Sequence, residues 1–335
     1  METETLSVEE VRALAERTLR ANGCDAENAR PIADNMARAE AQGAKSHGLF
    51  RLAPHVKHLK GGVANGAARP RAHATAPGVI RVEGDRAFAP VAHAAGLPPL
   101  AEAARAQGIA ALAIADVIHI AALWPEASAL AEEGLVAMAM TSSPPYVAPA
   151  GGARPFFGTN PMAFAWPRGA GRPPMVFDQA AAHSARGEIM LAAREGHPAP
   201  EGAGIDAQGN PTTDPEAILA GAQLPFGGYK GAAIALMIDL LAGPLMGETA
   251  SHEAEPAFKG ALVPGGELVI ALDPVHFGAA ESWRAHGERL FAAMTAEESV
   301  RLPGDRRAAA RARTEAEGVQ VPKAMLEEIR ALAEG

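Results

Sequence analysis

Apolar and polar positions along the chain first define a helical opening. Ser7-Val8-Glu9-Glu10 puts a carboxylate three residues after a hydroxyl, the spacing of a capping box. Val11, Leu14, Ala15 and Leu19 then share one helical face, with Gly23 as the stop. A second helix is expected from about Asp25 to Gln42, starting late or kinking at Pro31 and closed by Gly43. The stretch SHGLFR (46–51) therefore falls in a loop just after a helix. Residues 53–78, rich in Gly, Pro, Arg and His, are predicted to cross between domains.

Strand patterns follow. GVIRVEGD (78–85) alternates, and IAALAIAD (109–116) and LVAMAMTS (135–142) are apolar runs, each preceded by a helical stretch ending at a glycine. MAFAWP (162–167), MVFDQA (175–180) and ELVIALDP (267–274) are further strands. HFGAAESWRAHGERLFAAM (276–294) and PKAMLEEIRALAE (322–334) are expected as amphipathic helices. The class is α+β, a mixed sheet with helices.

Composition narrows the function. The 335 residues are 48% hydrophobic and 21% charged, which suits a folded chain of about two domains. A net charge of −9 argues against a nucleic-acid footprint but leaves room for arginines gathered around an anionic substrate. The one cysteine, Cys24, rules out an internal disulfide or a thiolate zinc site. METETLSVEE has no apolar core, so a signal peptide is not expected. The run 231–246 is interrupted by Asp239 and Pro244 and is read as too short to span a bilayer. No membrane contact and a cytoplasmic location are the expectation.

Several motifs carry chemistry. His47 can exchange a proton near neutrality, and Ser46 can relay it or bind a ligand. Gly48 leaves space for a ligand to approach the backbone. Arg51 offers a planar fork for a carboxylate. Alone, a Ser-His pair is more readily a surface loop with an idle histidine. In GTNPMAF (158–164), Thr159 and Asn160 cap a turn or face a pocket. GGYKG (227–231) opens an apolar helix and makes either an anion site with Lys230 or a tight turn with a solvated lysine. RLPGDRR (301–307) is a charged helix start or a phosphate site, such as one for the 2′-phosphate of NADP. No G-x-G-x-x-G occurs, which speaks against a Rossmann fold. The histidines are scattered, HExxH is absent, and His55 and His58 lack a third partner, so no metal site is expected.

SHGLFR, FGTNPMAFAWP, VFDQAAAHSARGEI, IDAQGNPTTDPEAIL and LPFGGYKGAAIALMIDLLAG together resemble the type-2 malate/L-lactate dehydrogenase family, whose NAD(P)-binding fold is not a Rossmann fold. AALWPEASALAEEGLV and RLPGDRR look most like its delta-1-piperideine-2-carboxylate/delta-1-pyrroline-2-carboxylate reductase branch. The resemblance implies reduction of cyclic ketimines to L-pipecolate and L-proline with NADPH, NADH being the other candidate, by a homodimer. It implies a helical N-terminal part (1–70), a cofactor domain (71–275) and C-terminal helices (276–335) returning to the first part.

By the same resemblance, Ser46, His47 and Glu188 form a charge relay, with Glu188 favouring cationic His47, and Arg51 and Thr159 hold substrate. The cofactor would lie against His119, Ile120, Ala121, Ala122 and Leu123; Asp178, Gln179 and Ala180; Arg186 and Gly187; Tyr229 and Lys230; and Arg301, Leu302, Pro303, Gly304, Asp305, Arg306 and Arg307. The branch usually has Asp where Glu188 stands, His where Tyr229 stands, and hydroxyl residues at Ala181 and Ala182. The segment from Met246 to Lys259 is short. Other readings are a 2-hydroxy-acid dehydrogenase for lactate, malate or ureidoglycolate, an N-alkylated amino-acid dehydrogenase, and an inactive dinucleotide-binding relative.

Overall fold

The computed structural model describes residues 2–169, 171–258, 264–278 and 282–334. In chain order its elements are β1 (Thr3–Leu6), α1 (Val8–Ala21), α2 (Ala26–Ala41), α3 (Leu52–Lys60), β2 (Arg71–Ala76), β3 (Val79–Phe88), α4 (Ala89–Gln107), β4 (Ile109–Ile118), α5 (Trp124–Glu132) and β5 (Val136–Thr141). They continue as β6 (Met162–Trp166), β7 (Met175–Gln179), α6 (Arg186–Glu195), β8 (Gly204–Ile205), β9 (Pro211–Thr212), α7 (Pro215–Ala220), β10 (Ala222–Gln223) and α8 (Tyr229–Ala242). The last are α9 (Ser251–Phe258), β11 (Gly265–Leu272), α10 (Trp283–Met294), α11 (Asp305–Glu317), β12 (Val319–Pro322) and α12 (Lys323–Glu334).

The first helix forms as its capping box dictates. The Glu10 N–H donates to Ser7 Oγ at 3.1 Å and the Ser7 N–H to Glu10 Oε2 at 2.7 Å. Asp25 caps α2 through the Asn28 N–H at 2.9 Å, so that helix starts on time and simply contains Pro31. The expected crossing segment 53–78 is instead largely helix and strand, α3 and β2. Its Leu52, His55, Val56 and His58 are buried at helical spacing, a periodicity that the prolines and glycines obscured. The helix expected from 276 begins only at Trp283, after a short 3₁₀ turn at Pro274–Phe277.

A seven-stranded sheet runs β2-β3-β4-β11-β5-β6-β7. Only β3 and β4 are parallel; every other pair is antiparallel. This is a mixed sheet, as the strand patterns predicted. Its two faces explain the unbroken apolar runs. Leu112 and Ile114 of β4 face α4 and α5, while Ala111 and Ala113 pack on the side of α8 with Met140 and Leu268.

A second core joins α1, α2, α12, β1 and β12, and it includes Phe88 and Ile118 from the ends of β3 and β4. β1 pairs antiparallel with β12, so the two ends of the chain are bound in one layer. α11 touches α2, whereas α10 lies against β6, where Gly287 leaves room for the Trp166 indole. By length and composition Tyr229–Met246 is apolar enough for a membrane span. In the fold Ala235, Ile238 and Ala242 are buried, and Asp239 accepts from the Ser251 N–H at 2.9 Å.

Candidate active site

The turn between α2 and α3 consists of two 3₁₀ turns, Lys45–His47 and Leu49–Arg51. Ser46 is buried, and its Oγ is hydrogen-bonded to His47 Nδ1 at 3.1 Å. Arg51 Nε donates to the Ser46 carbonyl at 2.6 Å. The turn itself is held from below, because buried Glu40 accepts the Leu49 N–H at 2.8 Å. Gly48 was expected to clear space for a ligand, but that space is taken. A Cβ there would collide with the Glu40 carboxylate, so the glycine serves the turn. Gly187, second in α6, lies directly under Arg51 and Ser46 and must also lack a side chain.

Electrostatics around this turn correct one expectation. Burial, reinforced by the Arg51 cation and by His119, pushes His47 down to about 3. Neutral imidazole is therefore its resting form. Glu188 is exposed and makes no hydrogen bond to His47; its negative charge favours the Arg51 cation instead. The physical reason is position. Glu188 sits in the first turn of α6, whose Gly187 meets the guanidinium.

Tyr146 is a member that sequence reasoning missed. The Arg186 guanidinium lies 4.4 Å from its ring centre, and burial raises its hydroxyl pKa while Arg186 and Arg51 oppose the rise. It stands in the irregular SSPPYVAP stretch, where no motif marked it.

Thr159 is half-buried, its N–H donating to Ser143 Oγ at 3.0 Å. Asn160 resolves to the turn role: it is buried, adopts φ 38°, and donates to the Ala235 carbonyl at 2.8 Å. A recess lined by Val117, His119, Ser142, Ser143 and Thr249 opens beside it. From that recess the segment Ile120, Ala121, Ala122, Leu123 leads to Asp178, whose Oδ2 accepts the N–H groups of Leu123 at 2.9 Å and Trp124 at 3.1 Å.

Asp178 in turn borders a cleft of about 510 Å³ lined by Val176, Phe177 and the Arg301–Arg307 turn. Gly304 there has φ 95° and packs on the Val176 backbone, which a Cβ would crowd at 3.1 Å. Arg307 reaches under the strand to the Val176 carbonyl at 3.0 Å. Arg301 and Arg306 are exposed on the cleft, and among the described residues neither has an ion-pair partner. Leu302 is buried, Pro303 lies on the surface, and Asp305 Oδ2 accepts the Leu302 N–H at 3.0 Å to close the turn. This donor set fits a dinucleotide phosphate: free guanidiniums on a glycine-formed cradle.

Tyr229 and Lys230 are exposed at the start of α8, and no described ion pair holds Lys230. Just before them the Phe226 N–H donates to the Ala181 carbonyl at 3.1 Å, which ties the start of α8 to the segment after β7. Ala181 and Ala182 are buried with Val147, Phe157 and Ala235, so the positions without hydroxyls belong to an apolar cluster.

The expectation of scattered histidines also fails. His93, His119, Glu126 and Glu267 converge from α4, the end of β4, α5 and β11. Long-range strand order brings them together, and no local spacing announces it. Lys259, the far end of the short segment, lies outside the described residues; α9 occupies Ser251–Phe258.

Residues 6–330 match the family model for malate/L-lactate dehydrogenase. The chain belongs to the malate/L-lactate dehydrogenase family. It is 46% identical over 333 residues to a Delta(1)-pyrroline-2-carboxylate/Delta(1)-piperideine-2-carboxylate reductase of Pseudomonas aeruginosa, covering 98% of this chain and 99% of the relative. A (2R)-3-sulfolactate dehydrogenase (NADP(+)) of Chromohalobacter salexigens is 40% identical, with 98% of each chain covered. Among solved structures, a delta1-piperideine-2-carboxylate reductase from Pseudomonas syringae superposes with a TM-score of 0.92 at 40% identity, covering 98% of this chain and 100% of that one. This family member is therefore an oxidoreductase by kinship, with a mixed sheet and not a Rossmann fold.

Proposed function

We propose that this chain reduces cyclic ketimine carboxylates, delta-1-pyrroline-2-carboxylate and delta-1-piperideine-2-carboxylate, to L-proline and L-pipecolate, using NADPH. The observation that carries the reading is the placement of Arg51 and His47 in one turn, tied by the 2.6 Å bond from Arg51 Nε to the Ser46 carbonyl. Similarity to reductases of these two imines supports the substrate class.

In this reading Arg51 pairs with the substrate carboxylate through its free Nη groups, its Nε being already engaged. The reduced nicotinamide supplies hydride to the ring carbon beside that carboxylate. An iminium brings its own proton, so the C=N electrons settle on nitrogen without a separate acid. Neutral His47 suits this substrate: with its Nδ1–H given to Ser46 Oγ, the Nε2 lone pair can receive the iminium N–H. A 2-oxo acid carries no proton on its carbonyl oxygen, so the alkoxide left by hydride transfer would need one from a cationic imidazole, which burial and Arg51 disfavour. Thr159, Tyr146 and Arg186 would complete the walls of the substrate site, and Arg301 and Arg306 would receive the 2′-phosphate. The working unit is taken as a cytoplasmic homodimer, with the exposed Leu236 and Leu240 of α8 as the apolar contact.

The test is a panel of both ketimines, pyruvate, oxaloacetate and sulfopyruvate, each with NADPH and NADH. The expected result is the highest kcat/KM for a ketimine with NADPH. Faster reduction of any oxo acid would reject the substrate assignment. Arg306→Ala should cost about tenfold or more in kcat/KM for NADPH and far less for NADH. Equal losses would reject the phosphate role.

A further inference from the structure

We propose that His93, His119, Glu126 and Glu267 form a binding site for one divalent first-row transition metal ion, zinc being the leading candidate. One donor atom from each side chain can be chosen so that all lie within 4.8 Å of one another. His93 Nε2 is 2.7 Å from Glu267 Oε2, His119 Nε2 is 3.5 Å from the same oxygen, and His93 Nδ1 is 4.0 Å from Glu126 Oε2. Four tetrahedral donors about 2.0–2.2 Å from one ion stand roughly 3.3–3.6 Å apart, so side-chain rotation on binding would open the 2.7 Å His93–Glu267 contact and draw Glu126 in, with His93 using one ring nitrogen.

The second observation is how little else these atoms have to bind. Glu126 is 2% exposed and Glu267 0%. Nε2 of His119 is buried without a hydrogen-bond partner, and Glu126 and Glu267 meet each other carboxyl to carboxyl, a contact that holds only with a proton or a cation between them. Buried carboxylate oxygens are costly unless a cation or donors compensate them. Among the described residues no lysine or arginine pairs with either carboxylate, and the charges acting on Glu126, those of Glu267 and Asp178, are both of its own sign. A dication would neutralise the two carboxylates and satisfy the free lone pairs together.

The chemistry of the donor set narrows the ion. Two imidazoles and two carboxylates suit zinc, manganese, iron, cobalt or nickel, whereas magnesium and calcium prefer all-oxygen shells. Four protein ligands make a closed, structural site, not one with an open position for substrate. Its place in the fold agrees. The ion would pin α4, α5 and β11 to the end of β4, where the His119–Leu123 segment passes from the recess to the Asp178 cleft. The inference does not depend on which imine or oxo acid is reduced.

The experiment uses full-length protein purified without chelator or an affinity tag rich in histidine. Elemental analysis should find about one equivalent of metal per chain. Extended dialysis against chelator should lower the Tm, and zinc chloride or cobalt chloride should restore it. Cobalt-loaded protein should show visible d–d bands. His93→Gln and Glu126→Gln should each weaken metal retention by about tenfold or more. Should those variants fail to fold, the wild-type measurements decide alone. Metal well below stoichiometry, together with a Tm that none of zinc, manganese, cobalt and nickel raises, would overturn the site. Such a result would mean that the four side chains share protons instead.

Discussion

Arg51 donates its Nε–H to the carbonyl of Ser46 at 2.6 Å, so the guanidinium is locked to the residue that precedes His47. Two opposite demands meet in this turn. The fixed cation is available for a carboxylate, and burial reinforced by the same cation keeps the adjacent imidazole neutral.

Replacing the fork should separate these roles. Arg51→Lys retains charge but loses both the bond to Ser46 and the bidentate geometry. KM for the carboxylate substrate should rise about tenfold or more, with Kd for NADPH little changed. Steady-state kinetics beside cofactor titration checks this, and an unaltered KM would remove Arg51 from substrate binding.

His47 should stay neutral in the free protein from pH 7 down to about 4. Imidazole nitrogen NMR, assigned with His47→Gln, would see it. Binding a flat, non-reducible ring carboxylate pairs Arg51 and withdraws part of the repulsion. The His47 pKa should then move up. An imidazolium signal at pH 6 without ligand would contradict the burial-dominated environment.

Glu188→Gln discriminates between a relay acting on His47 and a charge acting on Arg51. The structure favours the second. The substitution should alter kcat/KM by less than about tenfold and leave the pH profile in place. A profile shifted as far as that of a His47 variant would restore the relay.

Gly48→Ala should destabilise the fold, since the added methyl meets the Glu40 carboxylate that holds the turn. The expected loss is about 1–3 kcal/mol by urea denaturation. No loss would mean that the turn yields easily.

Acid stability carries the mark of His55. It is 4% exposed, lies 2.7 Å through Nδ1 from the Arg51 carbonyl, and is pushed by burial down to about 3. Its folded pKa is below the unfolded value of about 6.5, so the unfolded chain binds the extra proton. The stabilisation is full above pH 6.5 and is lost as pH falls toward 3. The stability gap between wild type and His55→Gln should therefore shrink below pH 6.5, by up to about 1.4 kcal/mol per pH unit. A gap constant from pH 7 to 4 would show His55 titrating alike in both states.

Local order was legible in the sequence wherever one element announces itself. The Ser7–Glu10 cap, the strand runs and the turn after α2 rest on contacts between near neighbours, and periodicity records them. The SHG turn and the Arg301–Arg307 turn were marked as candidates by short local motifs, whereas Asp178 entered only through the family resemblance. α3 escaped because Pro and Gly around it imitate a linker, although its buried face is regular.

Order across elements was not legible. Tyr146 stands among the arginines only because its loop folds back beside α6. The charge of Glu188 reaches Arg51, and not His47, because of where the first turn of α6 lands. The His93–Glu267 pairing spans 174 residues and exists because β11 inserts between β4 and β5. Spacing along a chain specifies which side chains share a face; which faces meet, and how deeply each charge is buried, is decided by packing the whole sheet at once.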